Sequence, residues 1–160
     1  MAKDKVRTKE LYLKAAKQKY AKAELAYAIC QEEDALWRSA ENWYSNALSN
    51  EDASNEIVTE AQYRMGRLYE EVKKDRIMSE IYYIKASSAG HVEAQYRLGM
   101  WFKNGNDKEQ EVKCFARAAK QGHPEAEYWY GNCLLYGVGV PKDTNCLLYT
   151  SDAADDSLRV

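Results

Sequence analysis

The chain has 160 residues, 46% hydrophobic and 30% charged, with a formal net charge of −2. That mixture can bury a core and solvate a surface, offers no whole-chain electrostatic attraction for nucleic acid, and contains no apolar run near the ~18 residues of a membrane span. Only two prolines and eight glycines interrupt it, against thirteen tyrosines and much alanine, a composition that points to helices rather than strands.

The first predicted helix covers 5–18. It lies in a basic stretch: residues 1–22 hold eight Lys or Arg against Asp4 and Glu10, a net of +6, which leaves −8 for the rest. The second predicted helix spans 22–33 and the third 35–48. Ser49-Asn50-Glu51-Asp52-Ala53-Ser54-Asn55 reads as a loop, being turn and cap chemistry. Helices at 58–71, 76–89, 92–104, 109–121 and 124–136 follow. They alternate between two kinds, here called outer (the first, third and so on) and inner.

The alternation rests on an internal repeat. Gly90-His91-Val92-Glu93-Ala94-Gln95-Tyr96-Arg97-Leu98-Gly99 is echoed by Gly122-His123-Pro124-Glu125-Ala126-Glu127-Tyr128-Trp129-Tyr130-Gly131, and in part by Ala61-Gln62-Tyr63-Arg64-Met65-Gly66. A period in the low thirties marks stacked helix pairs. Residues 12–28 align with 115–131 without a gap, so the basic N-terminal stretch is a worn repeat rather than a separate tail. Lys19 stands there for Gly122, and Ala28 for Gly131. The outer-helix alanines Ala15, Ala47, Ala86 and Ala118 are evenly spaced except for seven extra residues in the 49–55 loop.

On the inner helices, Ala61, Met65, Leu68 and Tyr69 fall on one helical face, and Ala94, Leu98, Trp101 and Phe102 repeat it. A glycine within a helix costs about 1 kcal/mol relative to alanine, so Gly66, Gly99 and Gly131, recurring in register, imply close helix approach. Gly90 and Gly122 end outer helices, where a left-handed residue is wanted.

These residues resemble the Sel-1-like repeat, a relative of the tetratricopeptide repeat, over about 10–145. The most specific match is Gly137-Val138-Gly139-Val140-Pro141-Lys142-Asp143. The copy at 94–122 keeps Ala94, Leu98, Gly99, Phe102 and Gly122, the copy at 61–90 keeps Ala61, Gly66, Tyr69 and Gly90, and the last keeps Ala126 and Gly131. The resemblance implies an all-α, right-handed α-solenoid of antiparallel helix pairs, about three to four units with the C-terminal one truncated. It divides the chain into degenerate units at 1–56, clearer repeats at 57–145, and a tail at 146–160. Residues 146–155, Cys146-Leu147-Leu148-Tyr149-Thr150-Ser151-Asp152-Ala153-Ala154-Asp155, resemble a translated sequencing-library adapter. A non-native, poorly packed tail is therefore expected, with a divergent C-terminal cap as the alternative.

The family resemblance implies a protein- or peptide-binding adaptor or scaffold, not an enzyme. The alternative is a repeat module of a longer regulatory or signalling protein or enzyme. Positions three and six after each repeat alanine lie off the packed face: Arg64 and Arg67, Arg97 and Met100, Trp129 and Asn132. Arg and Trp are common binding anchors, and the arginines could hold an acidic peptide through paired carboxylate contacts. No cofactor and no metal are expected, since His91 and His123 sit one per repeat and are better read as starting inner helices. Cys30, Cys114, Cys133 and Cys146 fall at no paired spacing, so free thiols are expected. No signal peptide is visible, which suggests the cytoplasm. No nucleic-acid or membrane partner is expected, and an uncapped C-terminal end should fray or associate.

Overall fold

The computed structural model describes residues 2–139, and all regular structure among them is helical. In chain order the helices are α1 (Ala2–Ala16), α2 (Ala21–Glu33), α3 (Trp37–Ser49), α4 (Asn55–Leu68), a π-helical turn (Tyr69–Lys73), α5 (Arg76–Ser88), α6 (Val92–Gly105), α7 (Lys108–Lys120) and α8 (Pro124–Tyr136). Pro141, Asp143 and the adapter-like string lie outside the described residues. Two compact units are present, one up to Leu98 and one from Gly99 onward.

In the first unit consecutive helices pack on one another, with connections short enough to force antiparallel neighbours. Its core gathers Ala28 of α2, Ala40 and Tyr44 of α3, and Ala61, Met65 and Leu68 of α4. Small residues let these helices approach, and the large ring of Tyr44 fills the space beyond. Gly66 shows the limit of that approach. A Cβ added there would meet the Tyr83 ring at 2.6 Å, so only glycine lets α5 sit this close to α4.

The 49–55 stretch is less of a loop than its composition implies. Ser49 remains in α3, and α4 begins at Asn55, one turn before its counterparts. The Ser54 hydroxyl caps it by accepting from the Ile57 N–H, and Glu56 in the first turn complements the helix dipole. The connecting residues are anchored, because Asn50 Nδ2 donates to Lys19 O and to the buried Glu24 carboxylate, both at 2.8 Å.

The π turn is absent from the sequence expectation, which ran the inner helix through residue 71. After Leu68 the helix loosens for five residues and ends on Lys74 in the left-handed region, φ 55°. The buried Ser79 hydroxyl donates to Gly66 O at 3.0 Å just upstream, supplying a hydrogen bond at the irregular segment. Left-handed residues also follow α1 (Lys19), α2 (Ala35), α6 (Asn106), α5 (Gly90) and α7 (Gly122). Thus the conformation persists where the sequence has lost the glycine.

The second unit contains the end of α6, α7 and α8. Phe115 of α7 lies over Gly99 as Tyr83 lies over Gly66, again 2.6 Å from an added Cβ. Ala118, Ala126, Cys133 and Cys114 are buried with it. Gly137 closes α8 in the left-handed conformation. A Cβ on Gly139 would fall 2.0 Å from the Lys108 carbonyl oxygen, which explains that glycine of the loop signature.

Candidate functional site

The inner helices of the first unit carry a continuous ladder of ion pairs. Arg64 and Arg97 occupy the same repeat position, and each is met by the carboxylate four residues earlier on its own helix. Arg64 Nε lies 2.6 Å from Glu60, and Arg97 Nε lies 3.3 Å from Glu93. Each also reaches a carboxylate from the preceding inner helix or the turn that extends it. Arg64 Nη1 is 3.2 Å from Glu32, and Arg97 Nη1 is 3.0 Å from Glu70. The same two carboxylates accept from the phenols of buried outer-helix tyrosines, Tyr44 on Glu32 and Tyr83 on Glu70.

Arg67 joins the two nodes. It pairs with Glu71 at 3.1 Å and with Glu32 at 3.6 Å, while Glu71 lies 3.7 Å from Arg97. The π turn brings Glu70 and Glu71 into the ladder together, which shows why that irregularity matters here. Burial and the Glu32 bond push the Tyr44 phenol far above its ordinary pKa, and burial and Glu70 do the same for Tyr83. Burial is the largest influence on Arg64 and opposes its charge, but the bond to Glu60 together with the attraction of Tyr44, Glu60 and Glu32 outweighs it, and the guanidinium is held charged.

His91 completes one end. Its Nδ1 accepts from the Ala94 N–H at 3.2 Å, which places the ring proton on Nε2. Nε2 then donates to Glu60 at 3.1 Å, and the ring stacks on Tyr63 with centroids 4.2 Å apart. The His91 bond, opposed by burial and reinforced by Arg64, lowers the Glu60 carboxyl to about 2. In the second unit His123 caps α8 in the same way, accepting from the Ala126 N–H. Both histidines therefore start inner helices. A cleft of about 560 Å³ opens beside His91 and Glu60, walled by Leu25, Lys22, Ser54 and Ile57.

The second unit carries the same register with different chemistry. Phe115 replaces Tyr83, Lys103 replaces Glu70, and Trp129 replaces Arg97. The Lys103 ammonium lies 3.0 Å from the Trp129 ring centroid, and Phe115 stacks on the indole at 6.4 Å. Asn132 lines a small cavity of about 210 Å³ with Trp129, Lys103, Cys133 and Tyr136. Met100 is half-buried on α6.

The six residues singled out from sequence thus divide into two sets. Arg64, Arg67 and Arg97 are brought together through shared carboxylates, and Trp129 and Asn132 share one cavity. The sequence reading missed Glu32, Glu70, Glu71, Tyr44 and Tyr83. A signal existed: Glu32 and Glu70 share a repeat register, and so do Tyr44 and Tyr83.

Among the described residues no three His, Cys, Asp or Glu side chains gather so as to hold a metal ion, and no helix is long and apolar enough to cross a membrane. The cysteines Cys30, Cys114 and Cys133 are free, and burial pushes the Cys114 thiol up to about 11.

The comparisons agree with this architecture. The family described as plant tetratrico peptide repeats matches residues 72–152, and the Sel1 repeat matches residues 1–20. The first match includes residues 146–152 of the adapter-like string. The chain belongs to the tetratricopeptide-type helical repeats, with the Sel1 repeat as its structural kin. It is similar to a protective antigen of uropathogenic Escherichia coli with an SLR fold, at 25% identity and TM-score 0.69, over 84% of this chain and 30% of that one. It is also similar to a Sel1 repeat protein from Oxalobacter formigenes, at 25% identity and TM-score 0.67, over 94% of this chain and 62% of that one. The chain therefore spans less than two thirds of either structure. No curated protein matches it.

Proposed function

We propose that the chain is a non-catalytic adaptor or scaffold module, each unit of which receives a segment of another protein on its inner helices. The observation that carries this reading is the half-buried arginine ladder, in which carboxylates and phenols fix the guanidinium groups in place. A pre-ordered donor array loses little entropy when a partner binds. The contact positions are Arg64, Arg67 and Arg97 in the first unit, and Met100, Trp129 and Asn132 in the second.

The ladder also constrains the partner. Arg64 and Arg97 pair through Nε and Nη1, so Nη2 is the donor that an incoming acceptor would take. Three arginines stand against Glu32, Glu60, Glu70, Glu71 and Glu93, a net of −2. An additional carboxylate meets that surplus. A segment offering backbone carbonyls and mixed charge fits better than the uniformly acidic one suggested by the arginines alone.

Selection of displayed peptides on the immobilised chain tests this. Enriched segments should lose about tenfold or more in affinity, ~1.4 kcal/mol, on an Arg64→Gln/Arg97→Gln variant whose helicity is retained. Peptides that bind both proteins equally would remove the ladder from the site. A second reading, a module of a longer regulatory protein or enzyme, is supported by the coverage of only 30% and 62% of the two similar chains. Genomic sequence encoding further domains in the same frame would favour it, and an isolated frame would not.

A further inference from the structure

Among the described residues the repeat leaves one ring without a socket and one socket without a ring. Each outer helix presents an aromatic residue with an alanine three positions on: Tyr12 and Ala15, Tyr44 and Ala47, Tyr83 and Ala86, Phe115 and Ala118. In α3, α5 and α7 both members are fully buried. In α1 Tyr12 is 38% exposed, and Leu11 before it is 59% exposed, although Cys114 in the same register of α7 is buried.

The complementary gap lies in α8. Gly131 is the counterpart of Gly66 and Gly99, each of which lies directly under an outer-helix ring. Gly131 is exposed, and no side chain of the described residues comes within 4 Å of a Cβ built there. Beside it Leu135, 74% exposed, occupies the position held elsewhere by Glu32, Glu70 and Lys103, so this end is apolar where the others are charged.

We propose that a second copy of the chain fills this socket: α1 of one copy docks on α8 of another, with Tyr12 over Gly131 and Leu11 covering the apolar end of α8. The charges agree at the end of α1: Lys5 and Lys9 are engaged by Glu33 and Asp34 of their own copy, the exposed Lys14 and Lys17 are basic, and α8 carries Glu125 and Glu127 and no basic residue. In the antiparallel arrangement of the other helix pairs, the exposed Lys14 and Lys17 near the end of α1 approach Glu127 in the first turn of α8. Such pairing steers and orients association. The interface is heterologous, since it joins different surfaces of the two copies, so each pair keeps one free head and one free tail. It does not depend on the partner-binding face proposed above.

Sedimentation and light scattering of the full chain test the proposal. The weight-average mass should rise with concentration from the 18.4 kDa monomer to about twofold or more. Gly131→Leu, which fills an open position without displacing a described neighbour, and Leu11→Glu, on an exposed face, should each remain monomeric and fold normally. Mixing the two should restore a one-to-one pair, because one keeps its head and the other its tail. Three results would overturn the proposal. These are a monomer at every concentration, self-association that survives Leu11→Glu, and a monomer whose melting temperature falls on Gly131→Leu. The last would mean that residues 140–160 of the same chain occupy the socket.

Discussion

Lys103 Nζ sits 3.0 Å from the centroid of the Trp129 ring, at the two repeat positions that hold Glu70 and Arg97 one unit earlier. An ion pair has thus been exchanged for a cation–π pair, and the phenol that served the carboxylate has become Phe115. The exchange is internally consistent: with no acid at position 103, a buried hydroxyl at 115 would lose its acceptor. Lys103→Ala should cost about 0.5–1 kcal/mol, and Lys103→Arg should be nearly neutral, by urea unfolding monitored through tryptophan fluorescence.

The two tyrosine nodes should not respond equally. Glu32 is largely enclosed, whereas Glu70 is half exposed. Removing the phenol in Tyr44→Phe should therefore cost about 1.5–3 kcal/mol, the range for bonds to charged groups, and Tyr83→Phe roughly half of that. Equal losses in paired chemical denaturation curves would show that exposure does not set the difference.

Glu60 gives the acid limb of the stability curve its shape. Its carboxyl titrates at about 2 in the folded chain against an ordinary 4.5, so its ionised form stabilises the fold above pH 4.5. That contribution declines as pH falls below 4.5 and is gone once pH drops through about 2. It should be on the order of 2 kcal/mol, allowing for solvent screening. Glu60→Gln should flatten the fall in melting temperature over this window, and an unchanged slope would contradict the pairing.

Gly66 and Gly99 should resist even alanine. Each methyl group would overlap an aromatic ring, and overpacking of this kind costs about 1–3 kcal/mol. Gly131→Ala should instead stabilise the chain by about 0.5–1 kcal/mol through helix propensity. Thermal unfolding of the three variants at low concentration distinguishes the sites.

Lys19 holds a left-handed conformation, φ 60°, at a position where Gly122 serves in a later copy. A side chain in that region carries a penalty of about 1–2 kcal/mol. Lys19→Gly should raise stability by about 1 kcal/mol, with no change in helix content by circular dichroism.

The repeat register made most of the fold legible. Alanine spacing, the Gly-His turns and the loop glycines placed every inner and outer helix among the described residues to within a few positions, because a stacked helix pair must present the same small residues at the same contact each time. The seven inserted residues at 49–55 were legible as an insertion. That α4 starts a turn early, at Asn55, was decided by the Ser54 cap and by Asn50 anchoring the connection to Glu24. Nothing in Tyr69-Glu70-Glu71-Val72-Lys73 announces a π turn, and the Ser79 hydroxyl that donates to Gly66 O just before it comes from α5, thirteen residues on.

By itself the sequence determined that the chain is helical, where the repeats fall, and which arginines leave the packed face, because these follow from periodicity. Only the tertiary structure decided what those arginines do. Arg64 meets Glu32 across 32 residues and Arg97 meets Glu70 across 27, and such pairs exist only once separate helices are brought side by side. The structure also showed that Gly131 is the one glycine of its register whose socket no described ring fills, although its sequence matches Gly66 and Gly99. Register specifies where a ring would fit, and only the packed chain shows whether one is there.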